Sequence, residues 1–318
     1  MSNAQSVGVA IVNYKTAELV KDCLTSLSYE LVHLPNLKVI VVDNDSPDDS
    51  FSELSLFVKD NNWRSWIEVV SSGNNGGFAF GNNVAIKPFM NQNKDYIWLL
   101  NPDTFITEKA GLSLVEFLET NSQSGIAGSH QQDENGNTLV SAFNSPSVFG
   151  EFIGALKLGV LDKIFKSKVI SNHEPVNHKS YDWMSGASLM VRREVFENVG
   201  IMDEKYFLYF EEVDFCFKVK KHGYSINYVK DSCISHYVGA STNITDVKRP
   251  KPKFWFDSRR RYFVKNHGRI LAALADINHL LGLSFYRLKQ KIKGTEDDTP
   301  PEYFKDFIKY SSIIYKQD

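Results

Sequence analysis

The sequence predicts an α/β fold: a mostly parallel sheet with helices on both faces, followed by a helical C-terminal extension. Three observations predict it. Short apolar, β-branched runs alternate with helix-patterned stretches over the first 130 residues, the signature of right-handed β-α-β crossovers. Polar clusters stand where these runs end, at Asn13-Tyr14, Asp43 and Asp103, and such sheets bind ligands beyond the carboxyl ends of their strands. After residue 250 the strand-like runs stop and three helical patterns reach the C-terminus.

Taken in order, Val7–Asn13 (VGVAIVN) reads as a buried strand. Thr16–Leu27 carries Leu19, Val20, Cys23, Leu24 and Leu27 at helical spacing. Leu37–Val42 (LKVIVV) is a second strand and Ile67–Val70 a third. The Gly/Asn cluster Gly73–Gly77 opens a segment ending near Met90. Tyr96–Leu100 (YIWLL), a helix over Ala110–Thr120 and a strand over Ile126–Gly128 complete this half. Asn135-Gly136 marks a turn, and Phe149–Val160 is apolar with several glycines and is left unassigned. Beyond it, Trp183–Val191 reads as a strand, Glu194–Val199 and Phe215–His222 as helices, and Ser225–Val229 and Cys233–Ser235 as short strands. The expected organisation is 1–250 as one domain, divided into halves at 130/131, with 251–318 as the helical extension.

Composition narrows the function classes. Of 318 residues, 42% are hydrophobic and 23% charged, as in ordinary globular proteins. A net charge of −2 offers no basic field for nucleic acid. Cys23, Cys216 and Cys233 have neither disulfide-framework nor zinc spacing, and fit a reducing cytoplasm. Neither a secretory leader nor an apolar run of membrane-spanning length is expected.

Each candidate site residue has a functional and a plainer reading. Asp103, just past YIWLL, is placed to hold Mg²⁺ or Mn²⁺ against a substrate phosphate; Asn-Pro-Asp-Thr is equally a turn. Asp43 suits a ribose or base, or starts an Asx turn. GNNGGFAFGNN over Gly73–Asn83 exposes backbone amides or merely caps a helix, and it lacks the Gly-Lys-Ser/Thr of a P-loop. Glu211, Glu212 and Asp214 follow the aromatic run Tyr206–Phe210 and offer a general base beside apolar walls. Acids also favour the first turn of a helix for dipole reasons. His236 is a candidate ligand or a structural histidine. One member of Arg259-Arg260-Arg261 could clamp a diphosphate, or the run is a solvated face.

Read together, seven segments resemble family 2 glycosyltransferases of the GT-A fold, within the bacterial rhamnosyltransferase-like branch that builds surface polysaccharides. They are IVNY (Ile11–Tyr14), VVDNDS (Val41–Ser46), NNGGFAFGNN (Asn74–Asn83), LLNPD (Leu99–Asp103), WMSGASLMVRREVFENVG (Trp183–Gly200), YFLYFEEVDFCFKVKKHGY (Tyr206–Tyr224) and HYVGAS (236–241). The resemblance implies an inverting transfer of one sugar from a nucleoside-diphosphate sugar, dTDP-rhamnose as the branch suggests, to a saccharide or lipid-linked saccharide. Asn13, Tyr14, Asp43, Asn75, Gly76, Phe78, Gly81, Asn82, Asn101, Asp103 and Arg260 would then meet the nucleotide-sugar. Trp183, Ser185 and Gly186 would meet the acceptor. Asp103 matches the last position of the family's Asp-x-Asp metal motif, whose first position is Asn101 here, and His236 would be a further ligand. Glu212 matches the second acid of the Glu-Asp motif that supplies the base, with Glu211 and Asp214 as alternatives.

Two other functions share parts of this pattern. A nucleotidyltransferase would carry a Gly-rich, basic loop after the first strand, where this sequence reads NYKTAE. A carbohydrate-binding relative without activity would keep the fold alone. The segment Ile270–Lys293 has apolar residues on several sides and a basic end. It is read either as a helix packed on the domain or on a second subunit, or as one lying on the inner face of the plasma membrane.

Overall fold

The computed structural model describes residues 5–159, 164–165, 168–237, 239 and 248–311. The end of the 149–160 run, residues 238 and 240–241 of the HYVGAS segment, and positions 312–318 lie outside the described residues.

The first half follows the expected alternation. Strands β1 (Val7–Asn13), β2 (Lys38–Asp43), β3 (Ile67–Ser71) and β4 (Tyr96–Leu100) are linked through helices α1 (Ala17–Ser28), α2 (Ser50–Asp60) and α3 (Phe78–Asn91). They pair in parallel in the order β3-β2-β1-β4. β1 is buried along its whole length, as a strand covered on both faces must be. One face packs on Val20, Cys23, Leu24 and Leu27 of α1. The other meets Ala79, Ala85, Ile86 and Phe89 of α3.

β5 (Thr104–Ile106), α4 (Ala110–Thr120) and β6 (Ser124–Gln132) lead into the second half, which contains β7 (Thr138–Leu139), β8 (Ala142–Phe143), α5 (Val148–Leu156) and β9 (Ser171–Asn172). β10 (Trp183–Met184), β11 (Ser188–Arg192), α6 (Arg193–Val199), α7 (Glu211–Lys221) and β12 (Ser225–His236) follow. The main sheet continues β4-β11-β6-β12-β5. β11 runs antiparallel to both neighbours, whereas β6 and β12 share the direction of β1–β4. The sheet is therefore mostly parallel, with β5, β7 and β11 reversed.

Three expectations are corrected. The single strand expected over Trp183–Val191 is two: β10 joins a separate three-stranded sheet with β8 and β9, while β11 enters the main sheet. The break falls at Ser185-Gly186-Ala187. The two strands expected between Ser225 and Ser235 are one, β12, with a register shift between Val229 and Cys233 that absorbs the polar Lys230-Asp231-Ser232 stretch. The helix expected from Phe215 starts at Glu211, which puts the acids in its first turn. At the C-terminus, α8 (Lys253–Lys293) is one long element interrupted at Gly268, and a short α9 (Tyr303–Asp306) follows. The previously unassigned apolar run forms α5.

Candidate active site

An open cavity of about 450 Å³ lies beyond the carboxyl ends of β1, β2 and β4. β1 and the turn after it contribute Val12, Tyr14 and Thr16, and β2 is followed by Asn44. Asn75, Gly77 and Phe78 come from the glycine-rich segment. Gly77 caps α3 at φ 89°, and a Cβ there would sit 2.0 Å from the Phe207 carbonyl oxygen. Only glycine allows that backbone approach, which is sealed by Phe78 N donating to Phe207 O at 2.8 Å. The amino ends of α3 and α7 both border the cavity and bias it towards an anion.

The edge that carries Asp103 and His236 is assembled by strand register. β12 runs antiparallel to β5 with His236 opposite Thr104, and Tyr237 N donates to Asp103 O at 3.0 Å. His236 Nε2 thereby lies 3.3 Å from Asp103 Oδ1, although the two residues are far apart in sequence. His236 Nδ1 is 3.1 Å from Gln131 Oε1. If Nδ1 donates to that amide oxygen, the Nε2 lone pair is left for a cation beside Asp103. Asn101 Oδ1 is buried without a hydrogen-bond partner. A carboxylate, an imidazole nitrogen and an amide oxygen at the cavity wall fit a small divalent cation, whose cis ligands stand about 3 Å apart in an octahedral shell. No group of three or more His, Cys, Asp or Glu side chains is placed for a metal among the described residues. The substrate's oxygens would complete such a shell.

Glu211 and Glu212 form another wall. Tyr209 and Phe210 both hold positive φ, at 68°, immediately before α7. This uncommon pair of left-handed non-glycine residues turns the chain sharply into the helix. Glu211 is 3% exposed; Glu212 is half-buried, with its Oε2 shielded from solvent. Neither Glu211 Oε2 nor Glu212 Oε2 has a hydrogen-bond partner. Burial pushes the Glu212 carboxyl up to about 7, with the amides of Glu212 and Val213 holding it back. Burial, reinforced by the neighbouring Glu212 charge, lifts Glu211 well above its ordinary value. Glu212 packs on Gly186, where a Cβ would lie 3.6 Å from Glu212 Cβ. Gly186 is itself delivered by pairing of Ser188 with Leu100 and of Asn101 N with Ala187 O at 3.0 Å.

A model of the family described as "Glycosyl transferase family 2" matches residues 6–213, more than half of the chain. The chain belongs to glycosyl transferase family 2. Among its relatives is the low-salt glycan biosynthesis hexosyltransferase Agl10 of Haloferax volcanii, 26% identical over 221 residues, 69% of this chain. That match spans 63% of Agl10, less than two thirds of its length. Rhamnosyltransferase WbbL of Escherichia coli is 26% identical over 237 residues, 73% of this chain and 83% of WbbL. Among solved structures, the mannosyltransferase PcManGT of Pyrobaculum calidifontis, in complex with GDP-Man and Mn²⁺, superposes with a TM-score of 0.59 at 14% identity. It covers 92% of this chain and 76% of its own. That likeness shows the GT-A fold.

In this member of the family the structure brings Tyr14, Asn75, Phe78, Asn101, Asp103, Ser185, Gly186, Glu211, Glu212 and His236 to one cavity. Other expected contacts stand behind the wall. Asn13 donates to Asp43 Oδ2 at 2.7 Å and Ser46 N donates to Asp43 Oδ1 at 3.0 Å, so this buried pair braces the strand ends. Gly81 lets α3 approach β1, where a Cβ would lie 2.7 Å from Val12. Asn82 bonds back to Phe78 O, and Gly76 packs on Phe80. Three placements correct the sequence reading. Asp214 is fully buried away from the cavity, accepting from Lys265 Nζ at 2.7 Å, Asn266 Nδ2 at 2.8 Å and Tyr206 OH at 3.2 Å. Trp183 stacks on Phe143 at 4.0 Å and donates to Asn144 O. Arg260, like Arg259 and Arg261, does not line the cavity: its neighbours are turned onto Glu151 and Asp276, and onto Asp203. Among the described lining residues there is no lysine or arginine. Sequence reasoning passed over Asn44, Phe207 and Phe254. The aromatic runs were visible, yet nothing in them told a cavity wall from core packing.

Proposed function

We propose that the chain is an inverting glycosyltransferase that moves one sugar from a nucleoside-diphosphate sugar to a saccharide hydroxyl, with Glu212 as base. The observation that carries this reading is the shared cavity, with Asp103 and His236 3.3 Å apart on one side and the Glu211–Glu212 pair on another. Rhamnose is the first sugar to test, supported by the likeness to WbbL, with dTDP as its carrier on the sequence resemblance.

Glu212 accepts the acceptor hydroxyl's proton as that oxygen attacks the anomeric carbon. The bond from that carbon to the diphosphate oxygen breaks in the same step, and the nucleoside diphosphate leaves with the electron pair. The carboxyl's high proton affinity suits the role, because it is near half-ionised around neutral pH. Asp103 and His236, with Asn101 beside them, would hold Mg²⁺ or Mn²⁺, which supplies positive charge to the leaving diphosphate when bound. A cavity bordered by carboxylates and lacking a described lysine or arginine favours that need. The amino ends of α3 and α7 add their partial positive charge, and Gly186 leaves room for the sugar beside Glu212.

Thermal unfolding with nucleoside diphosphates and their sugars, with and without Mn²⁺, tests this directly. Expected is stabilisation that grows with ligand, about 2.7 kcal/mol at a hundredfold excess over Kd, and that shrinks in Asp103→Asn and His236→Ala. No shift with any nucleoside diphosphate and either metal overturns the reading.

A further inference from the structure

We infer that the second half of α8 is a docking surface for an anionic lipid bilayer. After the break at Gly268, residues 269–293 continue as helix. Ile270, Leu274, Ile277 and Leu281 are spaced four, three and four, and the same spacing carries on through Phe285, Leu288 and Ile292. These side chains are 41–79% exposed. At about 100° per residue they fall within roughly 40° of one line, a stripe about 33 Å long. The opposite face is already used: Ala272, Ala275, Leu283 and Tyr286 are buried in the fold. The helix thus has two apolar faces, one packed and one open, and an open stripe of this length marks an interaction surface.

Charge decides what covers it. Lys289 and Lys293 flank the stripe on one side, with Lys291, Arg269 and Arg287 on the other. The acid within 269–293 is Asp276, 2% exposed and bound to Arg259. Asp297 and Asp298, beyond the helix, pair with Arg287 and Lys157, leaving Glu296 as the nearest other acid. A second copy of this helix would bring lysines against basic residues in either orientation, without exposed helix acids to pair them. Anionic headgroups complement such a rim, and lysine stems reach from the apolar boundary to the phosphates. The same helix begins at Lys253-Phe254, and Phe254 lines the cavity. A docked α8 would thus tie the cavity to the bilayer, whichever sugar is moved.

Flotation of the full chain with phosphatidylcholine vesicles, with and without phosphatidylglycerol, tests the inference. Expected is recovery with the anionic vesicles, weakened by salt. Leu274→Glu/Leu281→Glu/Leu288→Glu is expected to lose it. Lys289→Glu/Lys291→Glu/Lys293→Glu is expected to bind weaker by roughly fivefold or more per lysine. Leu274, Leu281, Leu288, Lys291 and Lys293 are exposed and Lys289 is half-buried, its Nζ 3.4 Å from Lys157 O. Unchanged nucleotide-induced thermal shifts are expected in both variants, which separates lost docking from lost folding; if the leucine variant melts early, the lysine variant carries the test. Equal binding to both vesicle types overturns the role of charge. No vesicle binding, together with a dimer in light scattering that the leucine variant converts to monomer, makes a second copy the occupant and overturns the inference.

Discussion

At the scale of single residues, two neighbouring carboxylates have different duties. Both line the cavity, but Glu211 is 3% exposed and Glu212 is half-buried. Glu212→Gln is expected to lower kcat by about 10²- to 10⁴-fold while leaving the nucleotide-induced thermal shift in place. In the native enzyme, kcat/KM is expected to rise with pH through the neutral range, since the base works deprotonated and burial has raised its proton affinity. An ascending limb near pH 4.5, the ordinary glutamate value, would remove Glu212 from the role. Glu211 makes a stability statement. Its carboxyl keeps its proton to higher pH when folded than when unfolded. The native state therefore holds more protons above about pH 4.5, and stability falls as pH rises towards the folded value. Glu211→Gln removes that penalty, so its Tm should exceed that of the parent at pH 8 and match it near pH 4. Equal Tm gaps at both pH values would contradict the burial argument. The acids were legible in the sequence as a cluster beside aromatics. Which of them line the cavity was not, because each step along a helix turns a side chain by about 100°; two steps past Glu212, Asp214 faces Lys265 and Asn266 instead.

At the scale of elements, the site depends on where strands stop. The 183–191 run reads as one strand by composition, yet Ser185-Gly186-Ala187 leaves β10 and β11 in different sheets and lines the cavity. That break is set by pairing with Leu100 and Asn101 across the sheet, which no local pattern encodes. The start of α3 is as tightly constrained. Gly77→Ala would force a Cβ into the Phe207 carbonyl and impose a strained φ. A loss of about 1–3 kcal/mol is expected, read as a lower denaturant midpoint, with at least tenfold weaker nucleotide binding because the α3 amino end moves. Unchanged binding in a folded Gly77→Ala protein would detach this segment from the donor site.

At the scale of the whole molecule, a buried ionic network holds the two parts of α8 to α5. Arg259, 1% exposed, reaches Glu151 on α5 at 2.9 Å and Asp276 beyond the Gly268 break at 2.7 Å. His279 Nδ1 stands 2.8 Å from the same Glu151 carboxylate. Burial opposes ionisation of Glu151, but Arg259 and His279 outweigh it and hold the carboxyl below its ordinary range. Its contribution is therefore present above the unfolded glutamate value and lost as pH falls through the folded one. Arg259→Met leaves two buried carboxylates without their cation and is expected to cost about 3–5 kcal/mol, measured by urea unfolding at pH 7, with a smaller difference at pH 3. A cost under 1 kcal/mol at pH 7 would mean that the network relaxes into water. The arginine run was legible in the sequence; its inward turn depends on Glu151 of α5, 108 residues away, and on Asp276 beyond the Gly268 break.

The sequence by itself determined the alternation of strands and helices, the family, and the set of polar residues that end the strands, because hydrophobic periodicity and turn chemistry are local. Tertiary structure alone decided that His236 meets Asp103, that Gly186 sits beside Glu212, that the arginines face inward, and that a second apolar stripe of α8 stays open. Each of these depends on register between distant segments and on which face of a helix is already covered, and a linear pattern carries neither.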